Sequence, residues 1–513
     1  MIKFSFSLPV GYEGDVSEAA AKKLRVKYSG KGEIIKKSLD ARDKSDLRYV
    51  YTVAFETDRE AVAVKNGAST FEKPDYSIEK AVEGAKYTGT RPVVVGAGPC
   101  GLFAALTLAQ LGARPILIDR GKDVDERAKD VEDFFSSHRL DPDSNVLFGA
   151  GGAGTFSDGK LTTGTNSPYV STVLYELARC GAPEEIVYLN KPHVGTDRLR
   201  EVVKNMIVRL HTLGAEVRFG TAARDFLLRD GKVSGVVTDQ GTILTDRVYL
   251  ALGHSARDTF EVLYRKGAKM VPKTFSMGTR IEHLQTTIDR AQYGRERGDL
   301  PPADYKAAVD IGGGNKLYTF CMCPGGTVIN ASGEAGGINV NGMSYYARDG
   351  KNANAALLVN VNSERFGDDP LAGVEYQRIW ERRAYAATGG FFAPAQTYGD
   401  FLSGRTDGFF EIGPSCLGGA KNADLNAVLP DYVAEGIKQG VRLIGRRIRG
   451  FDDPHAVLTG PETRSSCPLR ILRDERGESS ISGLYPMGEG AGYAGGITSA
   501  AADGIRVVLS SLS

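Results

Sequence analysis

The segment from Arg91 to Gly121, RPVVVGAGPCGLFAALTLAQLGARPILIDRG, constrains the fold of this chain more than any other. Its pattern predicts a buried strand, a glycine-rich turn, an apolar helix and a second buried strand that ends at an acidic residue. Gly96, Gly98 and Gly101 have the spacing G-x-G-x-x-G, and Asp119 follows 23 residues after the first glycine. This order predicts a parallel α/β unit that binds the pyrophosphate of a dinucleotide at the N-terminus of its helix.

Each residue of this motif has a separate physical role. Gly96 permits the tight turn, Gly98 lets the backbone touch a phosphate, and Gly101 lets helix and strand pack closely. Asp119 is expected to accept hydrogen bonds from a ribose diol. NAD and FAD both fit this pattern, so the choice between them depends on the rest of the chain.

Length, charge and cysteine content exclude several other classes of protein. At roughly 100 to 200 residues per domain, the 513 residues predict about two to four units. The 64 basic and 63 acidic residues nearly cancel, so no overall field steers the chain to nucleic acid or to a membrane surface. The six cysteines form no disulfide framework, zinc spacing or C-x-x-C pair, and no stretch approaches the roughly 18 apolar residues of a spanning helix. We therefore expect a cytoplasmic protein without a metal, in an oligomeric state that the sequence leaves open.

Residues 1–88 have the pattern of a small separate unit with the order strand, helix, strand, strand. KFSFSLP alternates like a strand, Asp15 and Glu18 fit a capping box, and SEAAAKKLRV has the composition of a helix. We predict a small α+β domain of the ferredoxin-like kind. Tyr49 and Tyr51 share one strand face of this mildly basic unit, and that face is either a partner surface or an ordinary solvated face.

Three later segments favour FAD. Residues 214–258 have the pattern of successive strands ending in RVYLALG, residues 483–506 read GLYPMGEGAGYAGGITSAAADGIR, and residues 148–166 are glycine-rich backbone followed by small hydroxyl residues and one lysine. The first resembles the strand and A-T-G turn of glutathione-reductase-type FAD proteins, with Leu252 at the usual threonine. The second resembles their C-terminal flavin segment, with Glu489 at the usual aspartate. The sequence has no histidine-bearing motif for covalent attachment of a flavin, so we expect the FAD to be bound noncovalently.

A closer resemblance is to the bacterial proteins labelled FAD-dependent dehydrogenases or uncharacterised FAD-binding proteins. It rests on FGAGGAGTFSDGKL, FCMCPGG, NGMSYYARDG and GEGAGYAGGI. It implies an α/β fold with a small α+β domain at 1–88, a Rossmann-like FAD-binding domain at 89–264 and 467–513, and an α+β substrate domain inserted at 265–466. The label of these proteins names a cofactor and no substrate.

The same resemblance implies a set of FAD-binding residues in the glycine motifs and beside them. They are Gly96, Gly98, Pro99, Cys100, Gly101, Asp119, Arg120, Gly151, Gly152, Thr155, Ser157, Lys160, Leu161, Ala223, Ala251, Gly253, Gly488, Glu489, Gly490, Gly495, Gly496 and Ile497. Backbone at Ala223 would hold the adenine edge. Thr155, Ser157 and Lys160 would supply hydrogen-bond donors along the flat ring, and the amides of the helix near Gly496 would face its pyrimidine end.

The predicted chemistry is hydride transfer through the flavin to or from a small-molecule substrate, with Lys160 favouring negative charge on the reduced ring. No second G-x-G-x-x-G lies between a strand and a helix, so NAD(P)H is expected only as a possible visiting electron donor. Arg348 could clamp a carboxylate and Tyr345 could flank a ring or donate a proton, or both could belong to a structural turn. Arg280 and Glu282 share a strand face, either as a salt bridge or as substrate ligands.

Two other functions stay open. One is a flavin monooxygenase, and the other is a non-catalytic binding protein that FAD stabilises. An amine or amino-acid oxidase would be a variant of the dehydrogenase.

Cys321 and Cys323, in FCMCPGG, complete the candidate catalytic residues. In an extended strand their Cα atoms would lie about 6.6 Å apart on one face. That distance is near the upper limit for a disulfide, so a bond requires the chain to bend. Three interpretations stay open: a redox pair, half of a metal site, or small side chains that line a pocket, of which the last is favoured.

Overall fold

The computed structural model describes residues 1–512 and begins with a four-stranded antiparallel sheet. Its elements are β1 (Ile2–Pro9), α1 (Val16–Leu24), β2 (Gly32–Asp40), β3 (Arg48–Phe55), α2 (Glu60–Lys65) and β4 (Ser69–Thr70), and the short helix α3 (Ile78–Ala81) follows. The sheet order is β2-β3-β1-β4, and the predicted order strand, helix, strand, strand is present. Asp15 caps α1 by accepting from the amides of Ser17 and Glu18, but Glu18 pairs with Lys22 and does not close the predicted capping box.

The glycine motif belongs to a five-stranded parallel sheet. Its first elements are β5 (Val93–Val95), α4 (Pro99–Gln110), β6 (Ile116–Ile118), α5 (Val124–Ser137), a 3-10 turn (Gly152–Phe156), α6 (Val170–Arg179), a second 3-10 turn (Glu184–Val187), α7 (Thr196–Thr212) and β7 (Glu216–Arg218). An antiparallel layer of β8 (Ala223–Arg229), β9 (Lys232–Thr238) and β10 (Gly241–Leu244) precedes β11 (Val248–Leu250) and α8 (Arg257–Arg265). The sheet is completed from the end of the chain, by β23 (Leu484–Pro486), in the order β23-β11-β5-β6-β7.

A second, seven-stranded sheet lies between α8 and β23 in the chain. It is made from β13 (Phe275–Leu284), β14 (Ala308–Gly312), β15 (Asn315–Cys323), β18 (Asn352–Val361), β19 (Ala393–Thr397), β20 (Ala420–Asn422) and β21 (Val457–Glu462). Its order is β14-β15-β18-β13-β21-β19-β20. Small pairs are β12 (Met270–Pro272) with β22 (Leu469–Ile471) and β16 (Thr327–Asn330) with β17 (Val340–Met343). The helices are α9 (Gln285–Tyr293), α10 (Ser363–Phe366), α11 (Ala372–Thr388), α12 (Tyr398–Ser403), α13 (Leu425–Val428) and α14 (Asp431–Gly445).

The last helix, α15 (Ile497–Ser510), packs beside α4. A Cβ added at Gly504 of α15 would lie 2.4 Å from the Cys100 carbonyl oxygen, so the two backbones touch. Residues 100–109 of α4 are all buried, because the helix is covered by the sheet on one side and by neighbouring helices on the others. This contact brings the N-termini of α4 and α15 to the same edge of the parallel sheet.

The N-terminal sheet is joined to the next unit by backbone hydrogen bonds. The Lys37 amide of edge strand β2 donates to the Tyr188 carbonyl at 2.8 Å, and the Asn190 amide donates to the Lys37 carbonyl at 2.9 Å. These bonds cover an edge that would otherwise be open to pairing. The mixed α/β class is thus confirmed, while the domain boundaries at 88, 264 and 466 stay predictions. Within the described residues, no helix has the length and apolar character needed to cross a bilayer.

Candidate functional site

The turn between β5 and α4 contains glycines that the protein itself requires. Gly96 has a φ of +103°, and a Cβ there would lie 2.3 Å from the Ala251 carbonyl oxygen. A Cβ at Gly101 would lie 1.8 Å from the Gly96 carbonyl oxygen. Both contacts are impossible, so these glycines are fixed by backbone conformation and by the approach of helix to strand, as predicted.

Gly98 is different, because nothing in the protein requires it. Its φ of −74° and ψ of −178° suit any residue, and the nearest atom to an added Cβ is the Cα of Gly152, at 3.7 Å. No side chain fills the space in front of Gly98, and the packing of the protein would allow a side chain there. This is the arrangement expected where a ligand lies against the backbone.

Two long helices start at this edge without a side-chain cap. Gly98 precedes α4 and Gly496 precedes α15, and neither supplies a side chain to the free backbone amides. A Cβ added at Gly495 or Gly496 would meet nothing within 4 Å. Unpaired amides and the partial positive charge of a helix N-terminus favour an anionic or electron-rich group. The edge therefore fits a pyrophosphate at one helix and the pyrimidine side of a flavin at the other.

A glycine-rich loop joins the two helix N-termini. Gly152 faces Gly98, and a Cβ at Gly154 would lie 3.1 Å from Ile497 of α15. Thr498 donates to the Leu161 carbonyl at 2.8 Å, which ties the end of the loop to the first turn of α15. The predicted set around Gly151, Gly152 and Leu161 is therefore brought together with the set around Gly98 and Ile497.

Arg127 stabilises the loop through hydrogen bonds to its backbone, and the sequence interpretation missed this residue. Its fully buried guanidinium donates to the carbonyls of Asn145, Val146, Ala150 and Gly152. Burial lowers the pKa of Arg127 to about 9, although the nearby carboxylate of Asp119 opposes this. A signal was available, because Arg127 shares the apolar face of α5 with residues three, four and seven positions away. A charged residue on such a face needs internal partners.

Two predicted donors of this loop are used within it. The Thr155 hydroxyl donates to the Ala150 carbonyl at 3.2 Å, and the Ser157 hydroxyl donates to the Gly154 carbonyl at 2.7 Å. The prediction that these hydroxyls point at the flavin ring is therefore corrected, because they stabilise the loop's own turns. What the loop presents to a ligand is backbone.

Asp119 lies buried at the end of β6. Its carboxylate accepts from the Ala97 amide at 2.7 Å and from the Gly121 amide at 2.9 Å. Burial raises the pKa of Asp119, and the two backbone hydrogen bonds only partly oppose that effect. The carboxylate thus holds the glycine turn in place, and the further role toward a ribose stays a prediction.

A cavity of about 410 Å³ opens between the parallel sheet and the seven-stranded unit, and Arg120, the residue after Asp119, is part of its lining. Arg120, Phe148, Arg224 and Ser255 line it on the first side, and Glu381 with other charged residues lines it on the second. Arg120 lies over the Phe148 ring at 4.5 Å and pairs with Asp258 at 2.8 Å. Of the residues predicted to bind the cofactor, Arg120 lines this cavity, and its lining also includes Arg224, the residue after Ala223.

The C-terminal segment closes the edge near Gly488. A Cβ at Gly488 would lie 2.8 Å from the Cys100 sulfur, and one at Gly490 would lie 2.5 Å from the Gly253 carbonyl oxygen. The Gly488 amide donates at 2.8 Å to Asp503, which was not predicted and which pairs with Arg473. Burial raises the pKa of Glu489 to about 7, although a backbone hydrogen bond from Gly496 opposes it.

A polar cluster of Asp158, Lys160, Ser344 and Arg348 links the glycine-rich loop to the seven-stranded unit. The buried carboxylate of Asp158 accepts from Lys160 at 2.6 Å, from Arg348 at 2.5 and 2.9 Å, and from the Ser344 hydroxyl. Burial by itself would raise the pKa of Asp158, but Lys160 and Arg348 lower it to about 2. Arg348 does form the predicted bidentate clamp, and the carboxylate that it holds is the protein's own. Asp158 is the residue that the sequence interpretation missed here.

Cys321 and Cys323 lie beside this cluster, because Lys160 also donates to the Met322 carbonyl. Strand β15 is not extended there: residues 320 and 323 pair with residues 356 and 354 of β18, so β15 carries one extra residue, and Cys321 has a φ of +41°. The extended geometry assumed from the sequence is therefore wrong, and the chain bends as a β-bulge. In residues 1–512, no group of three or more His, Cys, Asp or Glu is placed to hold a metal ion.

The remaining candidates separate into buried and exposed residues. Arg280 and Glu282 are both fully buried and do not pair with each other: Arg280 pairs with Glu462 at 2.5 Å, and Glu282 accepts from Asn352 at 3.0 Å. Neither lies on an open substrate face. Tyr345 is 52% exposed, so its ring is open to solvent.

Comparison with known proteins identifies relatives of the chain. Residues 274–465, from just before β13 to just after β21, match the family described as "FAD-dependent protein, C-terminal domain-like". A protein of Clostridium beijerinckii, described as uncharacterized, is 45% identical over 491 residues, which cover 93% of this chain and 91% of that protein.

Similar solved structures are more distant. The E. coli quinol fumarate reductase subunit FrdA has 12% identity and a TM-score of 0.37, over 83% of this chain and 71% of that chain. NikD, an amino acid oxidase of nikkomycin biosynthesis, has 13% identity and a TM-score of 0.34, over 82% of this chain and 94% of that chain. TM-scores this low give no information about the substrate or the chemistry of this chain.

Proposed function

Since the chain belongs to the family of FAD-dependent proteins that share this C-terminal domain, we propose that it is an FAD-dependent oxidoreductase acting on a small molecule. The observation that carries the proposal is the free space in front of Gly98, bounded by the uncapped N-termini of α4 and α15. Bound FAD would supply hydride transfer, which amino-acid side chains do not provide.

We propose that the cofactor binds as in glutathione-reductase-type proteins. Backbone at Gly98 and Gly152 would face the pyrophosphate, and Asp119 with Arg120 would lie at the ribose and adenine end. The amides that begin α15 would lie by the ring. The contacts among these residues support the proposal, because they bring all of these groups to one edge of a parallel sheet, where ligands of such sheets bind.

We propose that the substrate lies between the glycine-rich loop and the seven-stranded unit. Lys160 supports this location, because it belongs to the loop and donates to Met322 of the other unit. Tyr345, through its exposed ring, would orient the substrate or move a proton at its hydroxyl. Asp158 and Arg348 would act as positioning residues, since each satisfies the other's charge and neither is free to bind an ion.

The test is a visible spectrum of the purified protein, followed by release and identification of its cofactor. We expect flavin absorption bands and the release of FAD on denaturation. A protein that neither contains FAD nor takes it up on reconstitution would contradict the proposal.

Anaerobic addition of NADH and NADPH then tests the electron donor. Bleaching by one of them would make the nicotinamide a substrate. Bleaching by neither would leave the reduced small molecule as the donor, as expected of a dehydrogenase. Readmission of oxygen separates the alternatives, because a hydroxylated product identifies a monooxygenase and released peroxide identifies an oxidase. A bound flavin that no reductant bleaches would favour a non-catalytic binding protein.

A further inference from the structure

The bulge in β15 places two thiols together in a conformation that a strand does not ordinarily adopt. Cys321 lies in the left-handed region, at a φ of +41°, where non-glycine residues cost roughly 1 to 2 kcal/mol. The Cys323 sulfur lies 3.3 Å from the Cys321 carbonyl oxygen, so its side chain turns back along the chain toward Cys321. The separation that an extended strand would impose therefore does not apply to these two residues.

Cations and carboxylates from several elements surround this bulge. Lys160 and Asp158 face it from the glycine-rich loop, Arg348 holds Asp158 from the turn after β17, and Arg280 of β13 pairs with Glu462 of β21. Glu282, two residues after Arg280 on β13, is a third buried carboxylate in the field of Arg280. Arg280 also donates to the Cys321 carbonyl at 2.8 Å and lies 4.0 Å from the Cys323 sulfur.

A lysine or arginine close to a thiol favours the thiolate form of that thiol. The ionisable groups within the bulge are the two thiols, and Lys160 and Arg280 are the cations that lie next to them. A hydrogen bond from Cys323 lowers the pKa of Cys321 to about 5, and Lys160 and Arg280 act in the same direction against the effect of burial. The pKa of Cys323 is raised, because it shares its proton with Cys321 and is buried.

We propose that Cys321 and Cys323 form a reversible thiol–disulfide pair that a hydroperoxide oxidises, with Cys321 as the attacking thiolate and Cys323 as the resolving thiol. This assignment goes beyond the oxidoreductase function, since it needs no bound flavin. Cys321 is partly exposed and Cys323 is buried, which suits attack by the first and resolution by the second.

Each step of this reaction balances. The Cys321 thiolate attacks the terminal oxygen of the hydroperoxide and the O–O bond breaks, so Cys321 becomes a sulfenic acid, and the leaving alkoxide or hydroxide takes up a proton from solvent. The Cys323 sulfur then attacks the Cys321 sulfur, the S–S bond forms, and the sulfenic oxygen leaves as water with the Cys323 proton. Two thiols lose two electrons and one hydroperoxide gains them. A small thiol reductant reverses the change.

Cys416 provides a matched control within the same chain. It is partly exposed like Cys321, but its pKa is raised by burial and by the neighbouring carboxylate of Glu282. Cys100, Cys180 and Cys467 are buried. Of these two partly exposed cysteines, only Cys321 has neighbouring cations that lower the pKa of its thiol.

The test uses the full-length protein as purified. At pH 6.5, iodoacetamide is expected to alkylate Cys321 at least tenfold faster than Cys416, as read from peptide masses. One equivalent of hydrogen peroxide is expected to remove two of the six titratable thiols and to lower the mass of the peptide with residues 321–323 by the two hydrogens of a disulfide. Dithiothreitol should restore both.

Variants separate the roles of the two sulfurs. Cys323→Ser should trap a sulfenic acid on Cys321 that dimedone labels, Cys321→Ser should abolish the thiol loss, and Cys416→Ser should react like the wild type. Alkylation of Cys416 as fast as Cys321 would overturn the proposal, as would six thiols that survive peroxide or a Cys323→Ser protein that dimedone does not label. Circular dichroism of each variant shows whether it is folded.

Discussion

Replacing Gly98 with alanine tests whether a ligand occupies the space in front of the glycine turn. In the flavin-free protein the added methyl group has room, since its nearest neighbour would be the Gly152 Cα at 3.7 Å and the backbone conformation suits alanine. Alanine also restricts the unfolded chain more than glycine does. We therefore expect Gly98→Ala to leave the free energy of unfolding unchanged or to raise it by up to about 1 kcal/mol.

The effect on FAD should have the opposite sign. A methyl group forced into a filled contact costs about 1 to 3 kcal/mol. Because 1.4 kcal/mol is a factor of ten in Kd, the Kd for FAD should rise roughly 5- to 140-fold. The assay is fluorescence titration of the flavin-stripped protein with FAD, beside urea unfolding of the same sample.

Substitutions of two other glycines serve as controls for Gly98→Ala. Gly164 has no atom within 4 Å of an added Cβ and has no left-handed φ, so Gly164→Ala should change the free energy of unfolding as Gly98→Ala does and leave the Kd for FAD unchanged. Gly101→Ala should not fold, since the new Cβ would lie 1.8 Å from a carbonyl oxygen. A Gly98→Ala protein that is stable and binds FAD within twofold of wild type would refute the assignment of this edge to the cofactor.

Three further substitutions test the surrounding polar groups by urea unfolding. Arg280→Met should lower the free energy of unfolding by about 3 to 5 kcal/mol, since it leaves Glu462 buried without its partner, and the double change Arg280→Met with Glu462→Leu should recover part of that loss. Asp119→Ala should cost roughly 2 to 6 kcal/mol, because two buried amides lose their acceptor, and Asp119→Asn should cost less. Burial raises the pKa of Glu489 from 4.5 to about 7. The folded protein therefore favours the protonated form, and the contribution of this group to the free energy of unfolding is complete below pH 4.5 and is lost as the pH rises through 7. The difference between wild type and Glu489→Gln should therefore change by roughly 3 kcal/mol across that window in flavin-free protein, and a constant difference would contradict the shifted pKa.

The region of the glycine motif could be predicted from sequence because local signals decide it. Three consecutive valines form β5, and Gly98 with Pro99 marks the start of a helix whose apolar residues are buried on every side. The glycine spacing predicts which backbone groups touch. The contacts of Gly96 and Gly101 follow from stereochemistry that is the same in any chain with this turn.

The polar cluster could not be predicted in this way, since its partners are far apart in the chain. Arg348 and Asp158 are separated by 190 residues, and the Ser344 hydroxyl reaches the same carboxylate across 186 residues. The sequence shows that Arg348 suits a bidentate clamp, but it does not show which carboxylate the clamp holds. That information depends on how the seven-stranded unit folds back onto the glycine-rich loop.

Backbone strain also bears on the position of the proposed substrate site. Six non-glycine residues in the described part of the chain have a left-handed φ. Four lie in ordinary places: Arg25 and His138 end helices, and Arg114 and Asp230 lie in the short connections before β6 and β9.

The other two strained residues, Cys321 and Arg348, are neighbours in space. A Cβ added at Gly325, two residues after Cys323, would lie 1.9 Å from the Arg348 carbonyl oxygen, so the two turns press against each other. Strain of this kind costs roughly 1 to 3 kcal/mol per residue and persists only where surrounding contacts fix the backbone. Lys160 and Arg280 supply such contacts through the Met322 and Cys321 carbonyls. Because neither residue type favours this conformation by itself, no local pattern could reveal it, and its concentration beside Lys160 supports placing the reactive part of the site there.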